Sequence, residues 1–99
     1  MPAVQRDGDK NEGDGVASGG VASVRVNNKA IMIPAQLVSA HPPYGNKGAK
    51  TKHNDGSQRT DGGVASVRAG GKPVVVTTDA DTCGHLRVGG SPDVFAGGR

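Results

Sequence analysis

His41, His53, Cys83 and His85 are all the imidazoles and thiols that this 99-residue chain possesses. Thiolate sulfur and imidazole nitrogen are the donors that a borderline-soft divalent ion prefers, and four of them complete a tetrahedral shell for zinc. Iron fits the same donors less well. The spacing follows no zinc-finger template. Cys83-x-His85 is a short pair, and the other two residues lie far upstream. One ion shared by all four would therefore crosslink distant segments. Four protein ligands leave no open coordination position, which marks a structural rather than a catalytic metal. Its contribution is folding free energy, because the unfolded chain offers no preformed site.

The composition explains why such a crosslink is needed. The chain has 17 Gly, one Tyr, one Phe and no Trp. Each large apolar side chain contributes only about 1.5–3 kcal/mol on full burial, and a glycine-rich backbone is costly to order. A small chain of this kind needs a metal, a disulfide or a partner surface. The single cysteine excludes an intramolecular disulfide. The opening MPAVQRDGDK has no apolar stretch, so the expectation is no secretory signal and synthesis in the cytoplasm. The net charge is +3, with a pI near 9.4. Two aromatic residues cannot form a stacking platform for single-stranded nucleic acid, so the charge reads as a solvated basic surface.

The elements that must position the four ligands are written as a repeat. GGVASVR occurs at 19–25 and again, residue for residue, at 62–68. Beyond it Lys29 falls on Lys72, and Asn27-Asn28 on Gly70-Gly71. A weaker third copy, GGSPDVFAGGR, begins at Gly89 and aligns Val94 with Val24 and Arg99 with Lys29. Ala22, Val24 and Val26 alternate with Ser23, Arg25 and Asn27, the period of a half-buried strand. The Asn-Asn and Gly-Gly pairs suit two-residue primed turns, which need positive φ at both central residues. The first two copies are therefore expected to be hairpins, with returning strands at Ala30–Ile33 and Val74–Thr77. The third copy is expected to be closed by the N-terminus, with Pro2 in the place of Pro73. This gives a single all-β domain over 1–99, built of three β-hairpin units with pseudo-threefold symmetry.

An irregular stretch, about 42–61, interrupts the pattern and carries Lys47, Lys50, Lys52 and Arg59. A loop of that length in a compact domain is functional or disordered. His41 and His53 would anchor it. His41 follows Lys29 at the distance, within one residue, at which Cys83 and His85 follow Lys72. Equivalent points of a threefold arrangement converge on its axis, where one ion ties the units together. The same frame offers Glu12 and Asp14 from the third unit as carboxylates that orient a histidine ligand.

In these features the chain resembles the PAAR-repeat proteins. MPAVQRDGD is similar to that family's Pro-Ala-Ala-Arg opening followed by x-Gly-Asp, with Arg6-x-Gly8-Asp9 matching directly. GGSPDVFAGGR resembles its Gly-Ser-Pro-x-Val-Phe-x-Gly-Gly-Lys/Arg hairpin, and GGKPVVV at 70–76 and DTCGH at 81–85 also fit. The internal copies depart from it, reading KAIMIPAQ at 29–36 and KPVVVTTD at 72–79. The resemblance covers nearly the whole chain outside the 42–61 loop. It implies a small cone of β-hairpins, stapled by metal near its apex. Matched by position, the zinc ligands are His41, His53, Cys83 and His85. It also implies a non-enzymatic role as the tip of a trimeric β-helical spike in a contractile injection machine. One cap would sit on each trimer and meet the target membrane transiently. No toxin-like extension follows the cone, which favours a phage baseplate over a type VI secretion system. The expected location is the virion tail tip or a secreted spike.

Two other function classes are weaker. A zinc-dependent hydrolase needs Cys83 outside the shell and a general base, for which Glu12, Asp79 and Asp81 are the candidates. A nucleic-acid-binding zinc module needs a groove-reading helix or interleaved aromatics, and the sequence offers neither. No small-molecule substrate is implied.

Overall fold

A computed structural model of the chain describes residues 2–39 and 58–96. His41, His53, Lys47, Lys50, Lys52 and Arg99 lie outside the described residues. The described part is all-β, with two small antiparallel sheets and no helix among those residues. Strand β1 (Val21–Val26) pairs with β2 (Lys29–Ile31), and β3 (Val64–Ala69) pairs with β4 (Lys72–Val74).

Both hairpins turn where the sequence places the turn. Asn27 and Asn28 have φ of 54° and 65°, and Gly70 and Gly71 have 57° and 79°. These are the positive values of a primed turn, whose twist matches that of the flanking strands. In each turn the preceding arginine braces the backbone. Arg25 Nη1 donates to Asn28 O at 2.9 Å, and Arg68 Nη1 to Gly71 O at 3.0 Å.

The strands differ from the simple alternating pattern in one shared way. The register shifts between Val21 and Arg25, and again between Val64 and Arg68. Between these pairs one strand advances four residues while its partner advances one, an irregularity that breaks the alternation and leaves residues 22–25 exposed. Val26 is buried as expected, but Val24 is 37 % exposed and its counterpart Val67 38 % exposed. The returning strands also begin and end earlier than expected, and β4 shares only Val74 with the expected Val74–Thr77. They end at Ile31 and Val74, because the next residues leave the hairpins to pair elsewhere.

That pairing forms the centre of the molecule. Val75 N donates to Met32 O at 3.0 Å, Met32 N to Gln5 O at 2.9 Å, and Gln5 N to Val75 O at 2.9 Å. The three bonds close on themselves, and all three residues are fully buried. Met32 and Val75 pack with Ala17 in one small apolar cluster, and Val4, Val26, Ile31, Val64, Ala69, Val74, Val76 and Ala96 form a second, larger one. The first and last described segments pair with each other. Ala3 pairs with Phe95, Val4 N donates to Val94 O, and Ala96 N donates to Pro2 O, both bonds at 3.0 Å.

Further bonds recur in threes. Gly8, Ala35 and Thr78 have φ of 92°, 69° and 80°. Their amides donate to the carbonyls of Ala17, Thr60 and Arg87 at 2.8, 2.7 and 2.9 Å. In return Ala17, Thr60 and Arg87 donate to Asp9, Gln36 and Asp79 at 3.0, 2.8 and 2.8 Å. The same holds for Asn11 to Gly15, Val38 to Gln58 and Asp81 to His85, and for Glu12 to Leu86, Ser39 to Val16 and Thr82 to Arg59. These bonds align Gln5 with Met32 and Val75. Ala3, rather than Pro2, therefore corresponds to Pro73, one residue away from the expected register. They also draw Gln58, Arg59 and Thr60, at the end of the expected 42–61 stretch, into the framework.

Candidate metal centre

Two of the four expected ligands, Cys83 and His85, lie in the described structure, in one tight turn. Asp81 N donates to His85 O at 2.9 Å, Gly84 N donates to Asp81 O at 2.8 Å, and Gly84 has φ of 96°. A residue with a Cβ is strained at that φ, which is why glycine separates the cysteine from the histidine. Thr82 fastens the turn to its neighbour: its amide donates to Arg59 O and its hydroxyl accepts from Arg59 N, both at 2.9 Å. Cys83 is buried and His85 half-buried. His41 and His53 fall outside the described residues. Among the described residues, no group of three His, Cys, Asp or Glu side chains forms a metal-holding cluster.

The electrostatics at Cys83 work against a free thiolate. Burial pushes the thiol above its ordinary range, with the Asp81 carboxylate acting in the same direction. The His85 backbone amide and Arg87 oppose them. A divalent cation would reverse the balance, since a coordinating thiol is deprotonated outright. Cys83 and His85 are donor types that zinc accepts, and the other two expected donors lie outside the described residues.

Beneath the turn is a polar network that the sequence did not announce. Arg87 is fully buried. Its guanidinium donates to Asp81 Oδ2 at 2.8 Å, to Gln5 Oε1 at 3.1 Å and to Asp9 O at 2.6 Å. Asn11, 1 % exposed, donates from Nδ2 to Asp81 Oδ2 at 2.9 Å and approaches Cys83 Sγ at 4.0 Å. A buried ion pair persists only when its remaining polar positions are satisfied, and Arg87 meets that condition through Gln5 and the Asp9 carbonyl. The signal for Asn11 was its register. It aligns with Asp81, so NEGDG at 11–15 is the counterpart of DTCGH at 81–85.

The corrected register also changes the part expected of Glu12 and Asp14. Gly13 and Gly15, not those acids, align with Cys83 and His85. Glu12 is exposed and accepts from Leu86 N at 3.0 Å, while Asp14 is exposed with φ of 67°. The other candidate bases are held by the framework. Asp79 Oδ2 accepts from Gly63 N at 3.1 Å and Val76 N at 2.9 Å, and Asp81 is paired with Arg87. The chain matches no protein-family model and no curated protein.

Proposed function

We propose that the chain is a structural cap for the tip of a trimeric β-helical spike in a contractile injection machine, a small cone with pseudo-threefold symmetry stapled by one zinc ion. A phage baseplate is the preferred setting, and a type VI secretion spike is the alternative. The observation that carries this reading is the set of backbone bonds recurring in threes around the closed ring of Gln5, Met32 and Val75. A single chain with three equivalent units can match the end of a true threefold trimer. The two equal shorter axes of the molecule, 36 × 24 × 24 Å overall, agree with an axial body.

The same alignment suggests residues for the base that would meet the spike. Val24, Val67 and Val94 occupy corresponding positions and are 37 %, 38 % and 38 % exposed. Three apolar side chains displayed so evenly suit a partner with three identical chains, since isolated exposure at unrelated positions would need no such agreement. The cap would cover the spike's open strand ends.

The zinc would be held by His41, His53, Cys83 and His85, with the last two presented by the 81–85 turn. Bound there, it supplies crosslinking and no reaction. Crosslinks that close long loops give the largest entropic gain, which suits a tip that must stay folded under load.

The test is native mass spectrometry of the chain mixed with a trimeric β-helical spike from a contractile tail. One chain per trimer is expected, and the triple variant V24D/V67D/V94D should abolish the complex while remaining folded. Binding of three chains per trimer, or undiminished binding by the variant, would contradict the proposal.

A further inference from the structure

Asn11 has the geometry of a residue that positions a metal ligand. All of its amide is engaged. Oδ1 accepts from Gly13 N at 2.9 Å and from Gly15 N at 2.8 Å. Those two donors fix the amide's orientation, so Nδ2 must face the opposite side, where Asp81 Oδ2 and Cys83 Sγ lie. The 4.0 Å approach to sulfur is at the long end for N–H···S contacts, and a charged thiolate would draw the donor closer. Asp81 is in turn anchored by the buried Arg87, which is tied to Gln5 and the Asp9 carbonyl. The chain therefore builds a rigid path from its centre to one sulfur atom.

Resting on the metal centre proposed above, we propose that Asn11 is a positioning residue for that centre: its carboxamide fixes the Cys83 sulfur beside Asp81 and presents it, hydrogen-bonded, to the ion. Outer groups of this kind orient ligands and typically change metal affinity by roughly 10- to 100-fold. Of the three aligned positions, Val38 cannot hydrogen-bond through its side chain and Asp81 cannot donate when ionised. Asn11 is the one that both caps its own turn and donates to the next.

The variant Asn11→Asp separates the two duties. It keeps Oδ1 as the acceptor for Gly13 and Gly15 but replaces the donor with a carboxylate oxygen facing Asp81 and the sulfur. Zinc competition against a chromogenic chelator should show affinity falling by roughly 10- to 100-fold. The sulfur-to-metal charge-transfer band of the cobalt-loaded protein should shift. If the parent chain takes up neither metal, the metal centre and this proposal both fall. If the parent binds and Asn11→Asp binds equally with an unchanged band, only this proposal falls. Should Asn11→Asp not fold, the exchange N11D/D81N keeps one amide and one carboxylate beside Arg87 and should show the same weakened binding. If neither variant folds at saturating zinc, Asn11 is a turn cap alone and the proposal is overturned.

Discussion

Replacing Arg87 with methionine isolates the polar centre of the molecule. The guanidinium is fully buried and makes three contacts, to Asp81, Gln5 and the Asp9 carbonyl. Methionine fills similar space but leaves the Asp81 carboxylate, itself fully buried, without its cation. Removing one partner of a buried pair costs about 3–5 kcal/mol, because the remaining charge is uncompensated. A domain of this kind has about 5–15 kcal/mol in total, so the variant should lose a large share of its stability. At about 4–8 °C per kcal/mol the melting temperature should fall by roughly 12–40 °C. Guanidinium denaturation with a strong chelator present measures the effect without any metal contribution. The double variant R87M/D81L should recover much of the loss, since apolar replacement of a whole buried pair is often neutral or better. A loss below about 1 kcal/mol for Arg87→Met, or no recovery in the double variant, would refute the reasoning.

Two further outcomes follow from local geometry. Gly63→Ala and Gly71→Ala both place a Cβ at positive φ, 111° and 79° respectively, which costs about 1–2 kcal/mol. Only at Gly63 would the Cβ also meet Pro73, 2.8 Å from its Cβ, whereas Gly71 faces open space. Gly63→Ala should therefore cost about 1–3 kcal/mol more by urea denaturation, and equal losses would contradict this. The Asp93 carboxyl is held below its ordinary range by the Asn27 amide and then by the Ser91 hydroxyl. A folded value below the unfolded one gives stability that is present above the unfolded pKa, about 3.9, and lost as the pH falls through the folded value. Melts between pH 5 and pH 2 should show a shallower acid decline for Asp93→Asn than for the parent, and identical declines would count against the contact.

The turns were legible because turn chemistry is local. Asn27-Asn28 and Gly70-Gly71 sit between alternating residues, and few sequences tolerate two consecutive positive φ values. The repeat located the hairpins for the same reason. The one-residue slip at the N-terminus arose because the true equivalence of Gly8, Ala35 and Thr78 is a shared backbone conformation with no shared letter. The bulges were hidden too, since extra residues in one strand leave the written alternation intact while Val24 and Val67 end up exposed. Cys83 and His85 are singled out by donor chemistry, and the structure holds both in one turn. Arg87 is not, because its role depends on contacts across more than 70 residues of sequence, and Asn11 escapes because the expected frame for the third unit lies one residue away from the true register that aligns it with Asp81.

The central claim is that one metal ion ties this core-poor chain together. Metal content of the purified protein, followed by thermal melts with and without a strong chelator, tests it most directly. About one zinc per chain, lost in Cys83→Ala, and a large fall in melting temperature on chelation are expected. A chain that carries no metal and melts unchanged in chelator would contradict it.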